Sequence, residues 1–314
     1  MLGKKLTVKS KKGEKMAILG NGEAHGACSL LHAAGTGYGS SIALDLPVAV
    51  RLLDKPSKRE LKDPDGLLEA VVSVWIENGY DLPNNLKPED LHWAIASKIP
   101  PKQGLKSSAA VSIAAFRSLC DAIKIDLEAH RLVELSAQAQ FQAGVSLTGS
   151  IDDSWSCSTK GWKLIDINSD SIEDGVIMQG RGPESDDWIV LILSRDEEKK
   201  SPTLEDFQPF FNDFQQALSA IQEGDLFNSI TWNGRAVSGV LNDGEGRRMA
   251  NDAFVNGARA AGMSGSGPAV VVIIPSITPQ TANRMKFLFA QGKYNCTITE
   301  TKFLNSEGEE IDSE

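Results

Sequence analysis

The 314-residue sequence has few cysteines, few histidines and little positive charge. Cys28, Cys120, Cys157 and Cys296 are too widely spaced for a zinc knuckle or a redox pair, so we expect reduced thiols in a cytoplasmic protein. The four histidines show no metal-ligand spacing. The net charge of −10 predicts no nucleic-acid partner, because binding a duplex requires a basic surface.

Long apolar runs are also absent, and without a stretch of about 20 apolar residues we expect no membrane partner. Residues 1–15 are basic and lack the apolar core of a signal peptide, which predicts a solvated arm or an upstream start codon. Residues 303–314 are predicted to be a frayed acidic tail. Turn-forming and charged residues cluster near residues 179–188, where we place the boundary between two domains, 16–182 and 183–302.

The hydrophobic pattern predicts an α+β fold. Apolar residues at period two from Ile42 to Leu52 predict a half-buried strand, and Pro47 within it indicates an edge or a bulge. Residues 144–156 are predicted to be a loop, and residues 90–98 fit a helix or a strand equally well. The other predicted elements are helices at 66–79, 107–123, 127–143, 203–222 (irregular at Pro209), 245–261 and 279–290, and strands at 161–167, 188–193, 268–275 and 294–300.

The stretch PPKQGLKSSAA places a glycine, a lysine and two serines directly before a run with helical periodicity. A helix start carries unpaired N–H groups and a partial positive charge. Gly104 would let an anion approach the backbone, Lys106 adds charge, and Ser107 and Ser108 offer hydroxyls to phosphate oxygens or Mg²⁺. The pattern indicates a polyphosphate site, but an ordinary serine-capped helix would explain this stretch taken alone.

Two further stretches favour the polyphosphate interpretation. AGMSGSGPAVVVI, residues 261–273, interleaves glycines and serines before a buried strand, as expected where backbone approaches a ligand or a neighbouring element. TGSIDDSWS contains Asp152 and Asp153, and a carboxylate near a phosphate site can deprotonate a hydroxyl nucleophile. In isolation the first stretch is also consistent with a flexible turn, and the second with a cap.

Together these stretches resemble the GHMP kinase superfamily in order and separation, over residues 16 to 300. Within it the sequence is most similar to the archaeal-type shikimate kinases, because of the lysine in GLKSSA, the segment GVSLTGSIDD and the N-terminal GEAHGACSLLHAAGTGYGSSIALDL. The chain departs from that pattern at His32, where asparagine is usual, and at Tyr38, where lysine is common.

The resemblance implies a two-domain GHMP kinase fold, with a ribosomal-protein-like α+β domain, a ferredoxin-like α+β domain and the active site between them. It implies ATP with Mg²⁺ and phosphorylation of the 3-hydroxyl of shikimate, on the pathway to chorismate and aromatic amino acids, by a monomer or homodimer. The alternatives are a homoserine or mevalonate kinase-like activity, or a catalytically silent nucleotide-binding regulator.

The resemblance also implies roles for individual residues. Catalysis falls to Asp152, with Asp153 as second candidate, and to Lys106; Mg²⁺ binding falls to Ser108 and Asp152. ATP binding is assigned to Pro101, Lys102, Gly104, Leu105, Lys106, Ser107, Ser108 and Ala109. Acceptor binding is assigned to the segment from Gly22 to Ser41, in particular His32, Thr36, Gly37, Tyr38 and Ser40, and to Ser264, Gly265, Ser266 and Gly267. Gly265 and Gly267 would also brace the phosphate loop. Candidates for the cation that binds the shikimate carboxylate are Lys106, Lys102, Arg51 and Arg259, and Glu134 is the nearest upstream acid for Mg²⁺.

Overall fold

The structure is a computed structural model, and it describes residues 16–57, 63, 65–146, 148–149, 151–196, 201–291 and 294–306. The predicted N-terminal arm, residues 1–15, lies outside these described residues.

The first sheet is antiparallel and has five strands. They are β1 (Ile18–Leu31), β2 (Tyr38–Leu53), β3 (His92–Ser97), β4 (Trp162–Asp166) and β5 (Val176–Gly180), in the order β1-β2-β4-β5 with β3 also paired to β2. A short helix, α1 (Ala33–Thr36), joins β1 to β2.

The predicted alternating strand is the centre of this sheet. Every second residue from Ile42 to Leu52 is buried, which confirms the prediction. Pro47 lies where the register between β1 and β2 shifts, so the bulge is confirmed and the edge alternative is wrong. Residues 90–98, left open by the sequence, contain β3.

Helices α3 (Ser107–Ile123) and α5 (Ile151–Ser158) pack on this sheet, whereas α2 (Leu67–Glu77) packs on α3, and α4 (Ala129–Gln142) packs on α2, α3 and α5. Helices α2, α3 and α4 were predicted. The loop predicted at residues 144–156 is wrong in its second half, because α5 begins at Ile151 and places both aspartates in its first turn. Acidic side chains stabilise a helix N-terminus through the helix dipole, so this pair favours the helix it was expected to interrupt.

The second sheet has four antiparallel strands in the order β7-β8-β6-β9. They are β6 (Trp188–Ser194), β7 (Ala260–Met263), β8 (Val270–Pro275) and β9 (Thr297–Thr301). Its helices are α6 (Phe211–Gln222), α7 (Leu226–Val240), α8 (Gly244–Val255) and α9 (Pro279–Gln291). A 3₁₀ turn over Leu204–Phe210 precedes α6, which confirms the irregularity predicted at Pro209.

Helix α7 and strand β7 were not predicted, and both depend on glycine. A methyl group added at Gly234 of α7 would lie 2.3 Å from the Cα of Gly262 in β7, so the two backbones are in direct contact. Glycine disfavours helices in isolation, and here packing outweighs that preference. The helix predicted over residues 245–261 is therefore wrong at its end, where Ala260 and Ala261 belong to β7.

The end of the described chain connects the two sheets. Phe303 is 1% exposed and pairs with Leu44 of β2, while Thr301 Oγ1 donates to the carbonyl of Asp45 at 2.8 Å. The predicted start of the acidic tail at residue 303 is therefore wrong, because Phe303 and Leu304 are paired with β2. One hydrophobic cluster includes residues of both sheets, and the division into two domains near residue 183 stays a prediction.

All four cysteines are buried, free thiols. Within the described part of the chain, no helix is long and apolar enough to cross a membrane.

Candidate active site

The first part of the site is a contact between two glycine-rich loops. Gly104 has a φ of +79°, and a methyl group added to it would lie 1.9 Å from the carbonyl oxygen of Ser264. A methyl group on Gly267 would lie 2.1 Å from the backbone nitrogen of Gly104. We call Gly104, Ser264, Gly265 and Gly267 the glycine interlock. No side chain larger than hydrogen fits at Gly104 or Gly267 without moving the backbone.

Hydrogen bonds attach the interlock to strand β1. The Ser264 hydroxyl donates to the carbonyl of Gly104 at 3.0 Å and accepts from the backbone N–H of Ser29 at 3.1 Å. In return, the N–H of Gly265 donates to Ser29 Oγ at 3.0 Å. Three segments far apart in the sequence are thereby held together at the start of α3. The glycine patterns predicted close backbone approach at the two loops but not their attachment to β1.

Helix α3 begins directly after the interlock. Lys106 caps it with a left-handed backbone (φ +64°), and Ser107 and Ser108 form its first turn with half-buried side chains. Among the described residues, neither serine hydroxyl has a hydrogen-bond partner within the protein. A helix start with available hydroxyls is suited to an anion such as a phosphate.

The second part of the site is the acid cluster, formed by Lys106, Asp152 and Asp153. Lys106 Nζ lies 2.6 Å from Asp153 Oδ1, and Ser41 Oγ donates to the same carboxylate oxygen at 3.3 Å. The Asp152 carboxylate lies against Gly39 of β2, where an added methyl group would come within 2.5 Å of its Cγ. The ion pair therefore joins the start of α3 to the start of α5.

Burial makes the acid cluster electrostatically unusual. Burial, reinforced by the charge of Asp153, raises the pKa of Asp152 to about 7, although the ammonium of Lys106 opposes the shift. Burial alone would lower the pKa of Lys106, but the carboxylates of Asp153 and Asp152 outweigh it and raise this pKa overall. Lys106 therefore stays charged, and Asp152 exchanges a proton near neutral pH.

A buried polar network supports the acid cluster from behind. Ser112 of α3 is hydrogen-bonded to Ser136 of α4 at 2.6 Å, and Ser136 to Ser154 of α5 at 2.9 Å. The Gln140 side chain donates to Ser154 Oγ at 3.0 Å. All four side chains are almost completely buried, so this network fixes α5, and with it the aspartates, relative to α3.

The predicted acceptor segment lies beside Gly39. His32 is half-buried, its ring packs against Phe207 at 4.6 Å, and its Nδ1 accepts from the backbone of Ala34. Thr36 Oγ1 is hydrogen-bonded to the backbone of Tyr38 at 3.3 Å, across Gly37 with its φ of +80°.

Four residues predicted to bind the acceptor are buried. Ser40 is completely buried, and its hydroxyl donates to the carbonyl of Lys163 at 2.8 Å, so its side chain is not available to a ligand. Ser264, Gly265 and Gly267 are buried in the interlock, where they contact the Gly104 loop. Of that stretch only Ser266 is partly accessible.

The residues assigned to ATP binding also include both exposed and buried side chains. Pro101 and Lys102 are exposed beside the loop, whereas Leu105 and Ala109 are 1% exposed. The carbonyl of Leu105 accepts from the N–H of Ala27 at 3.3 Å. Any contact that Leu105 or Ala109 makes with a nucleotide must therefore come from the backbone.

Most candidates for the carboxylate-binding cation are engaged elsewhere. Lys106 is paired with Asp153, Arg259 lies over the ring of Phe227 at 5.9 Å, and Arg51 is exposed on β2 in the region paired with β3. Only Lys102 is both next to the loop and, among the described residues, without a polar partner.

The acidic metal ligand suggested by the sequence is not part of the site. The carboxylate of Glu134 is paired with Arg131. Arg131 also donates to Asn78 at the end of α2, at 2.8 Å, so this ion pair lies beside α2. In the described part of the chain, no group of three His, Cys, Asp or Glu side chains could hold a metal ion.

Sequence reasoning missed the contacts that position the predicted residues. Gly39 and Ser41 contact the two aspartates, and Ser29 ties the interlock to β1. A glycine inside a strand is a recognised signal of close backbone approach, so Gly39 could have been found. The serines carry no such signal, because only folding brings their hydroxyls to their partners.

Comparison with known proteins agrees with this geometry. Residues 68–161 match the family model "GHMP kinases N terminal domain". The chain is 27% identical over 268 residues to a shikimate kinase from Pyrococcus abyssi, covering 81% of this chain and 91% of that protein. It is also 27% identical to a shikimate kinase from Methanothermobacter thermautotrophicus, covering 79% of this chain and 84% of that protein.

Solved structures share the fold at lower sequence identity. The Methanococcus jannaschii mevalonate kinase superimposes with a TM-score of 0.67 at 15% identity, over 94% of this chain and 100% of that one. A putative homoserine kinase from Listeria monocytogenes gives a TM-score of 0.60 at 17% identity, over 93% of this chain and 97% of that one. The family model over residues 68–161, the sequence relatives and the shared fold agree, and the chain is similar to the GHMP kinases.

Proposed function

We propose that this protein is an ATP-dependent shikimate kinase that phosphorylates the 3-hydroxyl of shikimate. One observation carries the proposal: the ion pair between Lys106 and Asp153 brings the phosphate-binding helix start and the aspartate helix together. Phosphoryl transfer requires a binding site for the triphosphate beside a carboxylate that can accept a proton. The similarity to archaeal shikimate kinases over about four-fifths of the chain supports shikimate as the acceptor.

Asp152 is the best candidate for the general base. Asp153 already accepts from Lys106 and Ser41, whereas Asp152 has no ion-pair partner among the described residues. Its raised pKa suits a base that must take a proton near neutral pH and release it afterwards. Asp152 also lies against Gly39, next to the predicted acceptor segment.

The remaining groups stabilise charge on the transferred phosphoryl group. The first turn of α3 presents N–H groups and the hydroxyls of Ser107 and Ser108 to the phosphates. Lys106, held by Asp153, keeps a positive charge at the same helix start. Because these groups are fixed by packing before the reaction, little reorganisation is needed when charge develops.

The donor set fits Mg²⁺ bound mainly through the nucleotide. Mg²⁺ is usually held by one or two protein oxygens together with phosphates and waters, and it neutralises charge on the phosphates. Ser108 and Asp152 could supply those protein oxygens. The lack of a three-ligand cluster in the described part of the chain agrees with such a site.

A coupled ADP-release assay tests the proposal, with shikimate, homoserine and mevalonate as parallel acceptors. We expect shikimate-dependent turnover well above the other two, and a product phosphorylated at the 3-hydroxyl by NMR. Preference for homoserine or mevalonate would show a related kinase on the same fold. ATP binding without turnover on any of the three would favour a silent nucleotide-binding protein.

A further inference from the structure

A buried ion pair of the second sheet lies directly behind the phosphate loop. Arg195 follows β6 and pairs with Asp243, the residue that caps α8, through a two-pronged contact. Both side chains are less than 10% exposed. Burying two charges costs solvation, so a buried pair like this is weak evidence for a purely stabilising role.

Arg195 is hydrogen-bonded to a residue next to each of the two loops of the glycine interlock. Its Nε donates to the carbonyl of Pro268, which follows Gly267, at 2.8 Å. Its backbone is bound to Gln103, which precedes Gly104: Gln103 Nε2 donates to the Arg195 carbonyl at 2.9 Å, and the Arg195 N–H donates to Gln103 Oε1 at 3.2 Å. One residue therefore holds the chain on either side of the interlock.

We propose that Arg195 and Gln103 are positioning residues for ATP, which fix the phosphate loop against the second sheet. The inference rests on the proposed function and extends it to residues that do not touch the reacting groups. The interlock contributes one side chain, the Ser264 hydroxyl, that bonds its two loops to each other, so bonds from neighbouring residues add to their alignment. Asp243 in turn fixes the Arg195 guanidinium and accepts from the N–H of Gly246 at 2.8 Å.

The test compares Gln103→Met and Arg195→Lys with the unsubstituted protein. Gln103→Met keeps a buried side chain of similar length but removes both bonds to Arg195. Arg195→Lys keeps a positive charge beside Asp243 but removes the two-pronged contact of the guanidinium and the bond to Pro268. The matched control is Arg131→Lys. Arg131 is on α4, away from the loop, and the substitution removes several of its hydrogen bonds in the same way.

Two quantities are measured for each variant: steady-state constants for ATP and shikimate, and the Kd of a non-hydrolysable ATP analogue by calorimetry. We expect Gln103→Met to raise KM for ATP and the analogue Kd roughly tenfold or more, with KM for shikimate changed little. We expect the same direction for Arg195→Lys and no change in nucleotide binding for Arg131→Lys.

Several outcomes would overturn the inference. One is a lower Tm for Gln103→Met with an unchanged analogue Kd, because a purely structural role would produce that. Another is an equal change in the Arg131→Lys control. If Arg195→Lys does not fold, Gln103→Met alone still decides. An unsubstituted protein that binds the analogue but does not phosphorylate shikimate contradicts the proposed function while leaving this test intact, and one that binds no nucleotide contradicts both.

Discussion

The two halves of the site differ in what they are made of. The glycine interlock is backbone against backbone, and its geometry fails as soon as a side chain is added. The acid cluster is made of charged side chains held by helices, and one of them can be replaced by a neutral side chain of the same shape. Changes to the interlock should therefore damage binding and folding together, whereas changes to the acid cluster should separate chemistry from binding.

The largest effect is expected for Asp152→Asn. Removing a general base lowers turnover by about 10²–10⁴-fold, and the amide keeps the shape that packs against Gly39. We expect the Kd for ATP to stay within a few-fold of its original value. We also expect the Tm at pH 8 to rise by a few degrees, because a buried carboxylate is replaced by a neutral group.

Asp153→Asn is the matched variant on the same helix turn. It removes the carboxylate that holds Lys106, so we expect weaker ATP binding as well as slower turnover. If Asp153→Asn loses more turnover than Asp152→Asn, and both variants still bind ATP normally, then Asp153 and not Asp152 is the general base. Single-turnover and calorimetric measurements separate these outcomes.

The next effect is expected for Gly104→Ala, compared with Gly79→Ala. Both glycines have a φ near +80°, but Gly79 has open space where Gly104 faces the carbonyl of Ser264 at 1.9 Å. Left-handed strain alone costs about 1 kcal/mol, so Gly79→Ala should lower the Tm by a few degrees and leave ATP binding unchanged. Gly104→Ala should weaken ATP binding by roughly 100-fold, since the loop must move.

Equal behaviour of these two alanine variants would show that the interlock contributes only backbone strain. The backbone contact would then have no role of its own in ATP binding, and the interlock and the acid cluster would differ only in side-chain chemistry.

The smallest effect is the pH dependence. Asp152 must be deprotonated to act as a base, so kcat/KM for shikimate should fall by up to about tenfold per pH unit below pH 7. The stability of the fold should change with pH in the opposite direction, falling as the pH rises. The folded pKa lies above the ordinary value of 3.8, so the contribution of this group is complete below about pH 4 and is lost as the pH rises through 7.

Thermal unfolding of the unsubstituted protein and of Asp152→Asn between pH 4 and pH 8 checks this sign. The difference in Tm between the two should favour the variant increasingly as the pH rises. A difference that does not depend on pH would mean that the carboxyl group is not desolvated.

Much of the fold followed from local pattern. Period-two burial predicted β2, and the 3.6-residue period predicted α3, because each element buries one face. Strands β1 and β5 and helix α1 were not predicted, and neither were α5, α7 and β7. At the last three, aspartates and glycines weaken a local prediction, while the helix dipole and the contact of Gly234 with Gly262 stabilise the observed elements.

The sequence by itself determined which chemical groups are available: a helix start suited to an anion, a pair of aspartates and glycines that leave room for backbone. Only the tertiary structure decided their partners. It paired Lys106 with Asp153, left Asp152 against Gly39 and placed Arg195 behind Gln103. Hydrogen bonds and ion pairs act over a few ångströms, so contacts between residues remote in the chain exist only once the two sheets have packed together.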